Sequence, residues 1–245
     1  MLLQSIMRIS GYSFSLVVAL VLFPVVTSGQ DTVNFPLRFG VGASAYLPVS
    51  SFTGYYPQGF EVNGYYDIDE RFTIAVDGGL SNFENENYNY KFKNSGFFFR
   101  AGVDYNMLNP VRASGRYFAG ASFKYGFTVY NFHSPSIKYL NYWGNYTTEA
   151  PQLTKTAHFL ELSPTLTAEL FKNVFVGWSI DLRVLLWSGA GDDLRPIDIP
   201  GFGNGSKAVS TGMNYYISIR IPYRTKRVIY LKKERQTDDE DEVIR

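Results

Sequence analysis

A two-residue alternation of apolar and polar side chains recurs along the chain and constrains its fold more than any other feature. Such a period of two is the signature of a β-strand whose two faces meet different surroundings. The pattern occurs in eight segments, at about residues 37–47, 60–68, 71–80, 97–105, 117–129, 159–170, 174–184 and 213–221. Segments of about ten residues match a tilted strand that crosses a membrane, and an even strand number is usual for bacterial barrels. The sequence therefore predicts an all-β, eight-stranded antiparallel up-and-down transmembrane β-barrel.

The connections between these segments alternate in length. Long links are predicted at residues 48–58, 81–93, 131–154 and 188–208, whereas Asp69-Glu70 and Lys172-Asn173 form tight turns and residues 107–115 are intermediate. Barrels of the outer membrane have long extracellular loops and short periplasmic turns. The spacing thus predicts an outer-membrane location with both termini in the periplasm.

The polar row of the strands contains seven acidic and six basic residues, whereas the opposite row is apolar. An eight-stranded barrel has an interior only wide enough for side chains, and a buried charge is costly unless it is paired. A nearly balanced charge network therefore fits a filled lumen better than the polar outside of a soluble lipocalin-like barrel. The predicted lumen network comprises Arg38, Glu61, Asp67, Arg71, Asp77, Arg100, Asp104, Lys124, Glu161, Glu169, Asp181, Arg183 and Arg220.

Composition supports this interpretation and limits the chemistry. Aromatic residues make up 17 % of the chain and charged residues only 18 %, compared with about 25 % charged residues in ordinary soluble domains. The predicted interfacial girdle consists of Tyr46, Tyr105, Tyr117, Tyr130, Trp187 and Tyr223. The chain has no cysteine and two histidines, which excludes disulfides and thiolate sites, and we predict no cofactor and no metal. A net charge of +1 implies no nucleic-acid partner.

The two ends of the chain differ from the alternating part. Residues 1–29 carry Arg8, an apolar stretch of about 15 residues and small residues before Gln30, which predicts a signal peptide. Residues 30–223 are assigned to the outer-membrane barrel. Residues 224–245, basic and then acidic, are predicted to form a charged periplasmic tail whose role stays open.

Few residues suggest chemistry or binding. His133 and His158 allow a weak hypothesis of a lipid-modifying enzyme, but a nucleophile aligned with an oriented base is not evident around either residue. We therefore predict no catalytic residue. The Asn- and Tyr-rich loops either bind a partner, glycan or lipopolysaccharide or only cover the barrel mouth. The candidate extracellular loop residues are His133, Tyr142, Trp143, Asp192, Asp193 and Asp198.

Several segments together resemble a known family. They are residues 142–144, 157–162, 171–179, 199–203, 214–218 and 221–223, with residues 102–106 in the first half. This combination resembles an uncharacterised outer-membrane β-barrel family of the Bacteroidetes, classed as a domain of unknown function. The resemblance implies an outer-membrane location and brings no catalytic residues.

The predicted function is that of an integral outer-membrane barrel that is not an enzyme. It acts through its extracellular loops or as a structural component of the envelope. A narrow porin-like pore for small solutes and a lipid-modifying outer-membrane enzyme remain as alternatives. Expected partners are outer-membrane lipids and, during insertion, the barrel-assembly machinery, while the extracellular ligand is unknown.

Overall fold

The structure is a computed structural model that describes residues 30–48, 58–189 and 196–231. The predicted signal peptide, the first long link between residues 49 and 57, and the end of the predicted tail lie outside the described residues. Residues 33–228 form one compact unit, which contains most of the barrel wall, and among the described residues, 30–32 and 229–231 belong to a second unit. No helix in the described ranges is long and apolar enough to cross a membrane.

Eight strands form the wall, and two short strands and a short helix lie in the connections. In chain order the elements are β1 (Gln30–Pro48), β2 (Gln58–Asp67), β3 (Phe72–Glu86), β4 (Tyr90–Asn106), α1 (Pro110–Ala113), β5 (Tyr117–Asn141), β6 (Gly144–Phe171), β7 (Val174–Trp187), β8 (Asp198–Ile199), β9 (Gly203–Asn204) and β10 (Val209–Leu231). The wall is closed in the order β1-β10-β7-β6-β5-β4-β3-β2, and each pair with a described register is antiparallel. The predicted fold class is confirmed.

Tight turns at one end of the wall, called here the turn end, follow from local chemistry. Asp69 Oδ1 accepts hydrogen bonds from the backbone N–H groups of Arg71 and Phe72, each at 2.7 Å, which closes the turn between β2 and β3. Asn173 holds a φ of +67°, a conformation that asparagine tolerates, in the turn between β6 and β7. The connection between β4 and β5 contains α1 and contacts the wall, because Arg38 Nη1 donates to the carbonyl of Gly115 (2.5 Å).

The outward side chains form an exposed apolar band. On β4 the band runs from Phe97 to Tyr105, nine residues, which matches the length of a membrane-crossing strand. Tyr105, Tyr117, Trp187 and Tyr223 are exposed, as the predicted girdle requires. Tyr130 is completely buried instead, because its even position places it on the inward row of β5.

At the opposite end, called here the hairpin end, two predicted loops are strands. β3 and β4 pair as far as Glu86 and Lys91, and β5 and β6 pair as far as Asn141 and Gly144. The strand prediction stopped too early because the outward row turns polar above the band, where the apolar–polar alternation disappears although pairing continues. β10 likewise continues to Leu231, beyond the tail boundary that was predicted after Tyr223.

Candidate functional site: the filled lumen and the hairpin end

A cluster of ion pairs fills the middle of the lumen, with Arg100 at its centre. Its guanidinium lies 2.6 Å from Glu61, 2.8 Å from Glu161 and 3.4 Å from Asp77. Lys124 Nζ donates to Asp77 at 2.8 Å. These carboxylates lie on β2, β3 and β6, whereas Arg100 lies on β4. One guanidinium therefore ties together four strands of the wall.

Arg183 extends this cluster to β7. Its Nε donates to Glu161 (2.6 Å) and its Nη2 to Asp181 (2.6 Å), while Asn214 Nδ2 donates to the same Asp181 carboxylate (3.1 Å). Arg100, Glu161, Asp181 and Arg183 are each no more than 1 % exposed. Charges buried so deeply are tolerated because each has a partner of opposite sign.

A second layer lies toward the turn end and uses aromatic rings as well as carboxylates. Arg38 donates through its backbone N–H to Asp67 (2.9 Å), and its guanidinium lies 3.9 Å from Glu169. The guanidinium carbon of Arg220 lies 4.0 Å from the ring centre of Tyr65 and 5.3 Å from that of Phe175. Such cation–π contacts stabilise a guanidinium that has lost its water.

The structure thus places most of the predicted network inside the barrel. Asp104 accepts a hydrogen bond from Ser122 (2.5 Å), and Glu169 also accepts from the backbone N–H of Asn173 (2.9 Å). Arg71 differs from the others, since it lies in the turn before β3 and donates to the hydroxyl of the outward-facing Tyr105 (3.4 Å).

The space left among these side chains is very small. A cavity of about 20 Å³ remains, lined by residues that include Ser163 and Asn214, whose Oγ and Oδ1 atoms are buried without a hydrogen-bond partner. A volume of this size holds about one water molecule, which would satisfy these atoms. This cavity is too small to pass a solute larger than water.

A segment between β7 and β10 closes the lumen at the hairpin end. Residues 196–208 form a small hairpin from β8 and β9 that places Ile199 and Phe202 in a buried apolar cluster. We call this segment the plug. The cluster also contains inward-facing residues of four wall strands: Phe83, Phe92, Tyr130, Phe132, Ala157 and Phe159. An apolar layer therefore seals the charged layer below it.

Two features of the plug explain how it fits. Asn94 Nδ2 donates to the backbone carbonyl of Asp198 (2.7 Å) and lies 3.3 Å from its carboxylate. Gly201 holds a φ of +76°, and a Cβ at this position would lie 2.5 Å from Cγ of Phe98. Only glycine accommodates both the conformation and the approach.

The plug was missed by the sequence reasoning and corrects one prediction. Asp198 is predicted to be an extracellular loop residue, but it is 2 % exposed, because β8 carries it into the barrel mouth. Asp192 and Asp193 lie outside the described residues. The available signal was the presence of Ile197, Ile199 and Phe202 among glycines, since a solvated loop has no reason to hold them.

The tip of the β5–β6 hairpin carries two exposed aromatic side chains. Tyr142 and Trp143 are 94 % and 91 % exposed and pack edge to face, with ring centres 5.4 Å apart. These two candidates lie in a loop, as predicted. His133 does not, because it is a half-buried residue within β5.

His158 lies on the outward face of β6 among aromatic rings. Its Nδ1 is 2.5 Å from Tyr125 Oη, and its ring centre is 5.1 Å from that of Phe127 and 5.7 Å from that of Trp187. These contacts are those of a packed interfacial histidine. Across the described part of the chain, no group of three or more His, Asp or Glu side chains is arranged to hold a metal ion.

Salt bridges stiffen the shorter β3–β4 hairpin. Lys91 Nζ lies 2.9 Å from both Glu84 and Glu86, and Lys93 Nζ lies 3.3 Å from Glu84. Hydrogen bonds from both lysines lower the pKa of Glu84, and the bonds to Glu84 and Glu86 raise the pKa of Lys91. These groups are solvent-exposed, so each pair contributes little to stability.

Comparison with known proteins places the chain in a family. A model of the family described as a domain of unknown function (DUF6048) matches residues 7–226. The chain belongs to this family. The resemblance inferred from the sequence to an uncharacterised family is therefore confirmed, and the Bacteroidetes origin stays a prediction. No curated protein sequence matches this family member.

Solved structures with some similarity are outer-membrane proteins. Ail, the attachment invasion locus protein of Yersinia pestis, is 12 % identical, with 79 % of this chain and 100 % of that chain covered and a TM-score of 0.36. Neisserial surface protein A is 11 % identical, with 78 % and 99 % covered and a TM-score of 0.35. The Escherichia coli outer membrane protease OmpT is 11 % identical, with 84 % and 98 % covered and a TM-score of 0.31. Similarities at this level carry no activity over to the DUF6048 chain.

Proposed function

We propose that this family member is a non-enzymatic outer-membrane barrel that displays the β5–β6 hairpin at the cell surface as a contact element and does not conduct solutes. The exposed aromatic pair at the hairpin tip carries this proposal. The outer membrane is the proposed location because closed barrels with an apolar outer band are the β-structures that cross such membranes.

The hairpin is built to hold its tip away from the membrane. From Asn131, where the outward row of β5 turns polar, the strand continues to Asn141, about 35 Å along the strand at about 3.3 Å per residue. Paired strands keep this extension stiff. Tyr and Trp side chains offer large, rigid contact areas at a low entropic cost, and they are enriched where proteins bind partners.

The filling of the lumen favours this role over that of a pore. Buried ion pairs occupy the middle of the barrel, and the plug covers them with Ile199 and Phe202. The contacts of His158 with aromatic rings favour a packing role over a catalytic one. The proposal therefore assigns the function of the protein to the exposed tip of the β5–β6 hairpin and not to the lumen.

Cysteine labelling tests the orientation on which the proposal depends. The chain contains no cysteine, so a single introduced thiol reports one position. A membrane-impermeant maleimide should label Asn145→Cys, next to the hairpin tip, in intact cells. It should label Lys172→Cys, an exposed residue of the turn end, only after lysis. The reverse pattern would place the hairpin in the periplasm and remove the proposed function.

A further inference from the structure

A polar concavity lies on the outer surface of the wall at the hairpin end. It has a volume of about 390 Å³ and is formed where β3, β4, β5 and β6 continue above the apolar band. A register shift in β4 between Lys91 and Lys93, and another in β5 between Phe132 and Ser134, lie beside it. Such irregularities bend strands and create local hollows. We call this hollow the outer groove. The buried residues Phe83 and Asn94 contribute to its lining, and the other lining residues lie on the outward face: Asn82, Glu84, Lys93, Ser95, Asn131, His133 and Gln152.

The position of the outer groove relative to the membrane follows from the strand register. Leu80, Phe97 and Val129 face one another on the uppermost apolar rung of the band. The next outward rung is polar and consists of Asn82, Ser95 and Asn131. One rung corresponds to two residues, about 7 Å along a strand. The groove therefore begins at the level of lipid headgroups, directly above the region that contacts lipid chains.

The lining fits a hydroxyl-rich ligand. Carboxamide, hydroxyl and imidazole groups offer both donors and acceptors, and Asn131 Oδ1 is held by a hydrogen bond from Thr154 Oγ1 (2.5 Å). Lys93 and Glu84, 3.3 Å apart, add one cation and one carboxylate, so their charges balance. Phe83 also lines the groove but is 4 % exposed and belongs to the buried apolar cluster, so it offers no anchor of the kind that protein interfaces use at their centre. The hydroxyl groups of a sugar fit these donors and acceptors.

We propose that the outer groove binds the sugar headgroup of a glycolipid in the outer leaflet, whose acyl chains lie against Leu80, Phe97 and Val129. The ligand is a membrane lipid rather than a free saccharide because the polar lining and the apolar band are contiguous. This inference rests on the proposed orientation, in which the hairpin end faces the cell exterior. It assigns a ligand to the base of the hairpins, separate from the aromatic tip.

Binding of fluorescent lipopolysaccharide to the purified full chain in detergent micelles, measured by anisotropy, tests the proposal. The variant Asn82→Ala with Gln152→Ala removes two exposed amides of the groove. The matched control, Asn87→Ala with Asn145→Ala, removes two exposed amides nearer the hairpin tips. We expect the groove variant to lose about tenfold in affinity, the size expected for two hydrogen bonds, and the control to bind like the wild type. Heat-modifiable gel mobility verifies that both variants are folded.

Two further binding measurements distinguish a glycolipid from a free saccharide and from a phospholipid without sugar. The phosphorylated core saccharide without acyl chains should bind much more weakly than lipopolysaccharide, and phosphatidylglycerol should compete poorly. Equal binding of the free saccharide, equal competition by phosphatidylglycerol, or equal affinities of the groove variant and its control would each overturn the proposal. Micelles impose no orientation, so a failure here is distinct from a failure of the cysteine-labelling experiment.

Discussion

Replacing Glu161 with glutamine removes one carboxylate from the centre of the lumen and preserves the size of the side chain. Glu161 Oε2 accepts hydrogen bonds from Arg100 Nη1 (2.8 Å) and Arg183 Nε (2.6 Å), and the residue is 1 % exposed. In the Glu161→Gln variant both guanidiniums stay buried, and each has lost a charged partner.

The expected cost follows from this geometry. Breaking a buried ion pair by removing one partner costs about 3–5 kcal/mol. Arg183 retains Asp181 at 2.6 Å and Arg100 retains Glu61 at 2.6 Å, which places the expected loss toward the lower end, about 3 kcal/mol. Reversible urea unfolding in lipid vesicles, followed by tryptophan fluorescence, measures this loss as a shift of the midpoint with an unchanged slope.

An exposed ion pair provides the control. Glu86 lies 2.9 Å from Lys91 at the β3–β4 hairpin, and Glu86→Gln should lower the free energy of unfolding by less than about 1 kcal/mol. If Glu161→Gln also costs less than about 1 kcal/mol, the central ion pairs do not stabilise the barrel and the reasoning about the lumen is wrong.

Three further predictions concern the plug and the hairpins. Phe202→Ala should lower the free energy of unfolding by about 3–5 kcal/mol, the range for a buried phenylalanine, whereas the exposed Phe171→Ala at the turn end should cost much less in the same urea assay. Gly201→Ala should raise the protease sensitivity of the plug because alanine strains a φ of +76°, and unchanged digestion would contradict this account. The hydrogen bonds from Lys91 and Lys93 lower the pKa of Glu84, so the ionised carboxylate stabilises the β3–β4 hairpin above the pKa of an unfolded glutamate. This contribution is lost as the pH falls through the folded pKa. An NMR titration should find that the Glu84 carboxyl has a pKa below the ordinary value, and an ordinary value would refute the pairing.

Much of the barrel could be predicted because one physical rule governs its wall. Outward residues in lipid must be apolar, and the charged residues of a membrane-crossing strand must therefore face the lumen, so alternation identifies both strand and face. The same rule predicts Arg100, Glu161 and Asp181 in the lumen, where the structure places them. It also places Tyr130 inward, although its residue type suggested a position in the girdle.

Other parts could not be predicted because the rule does not apply to them. Above the band the outward residues are polar and inward residues such as Phe83 and Phe132 are buried, so the apolar outward row that marks a membrane-crossing strand is missing there. The plug enters the barrel through contacts between distant segments, such as Asn94 with Asp198. The outer groove combines side chains of four strands, and the sequence does not specify the strand register that brings these side chains together.

Ion conductance across planar bilayers tests the central claim, that the lumen is closed, most directly. The recordings use the Asn145→Cys barrel, whose insertion is verified on the same preparation by labelling from one side of the membrane. We expect the inserted barrel to stay electrically silent, because buried ion pairs and the apolar plug fill the lumen in the part of the chain that the structure describes. Steady, reproducible openings of this barrel would contradict this account and establish a pore.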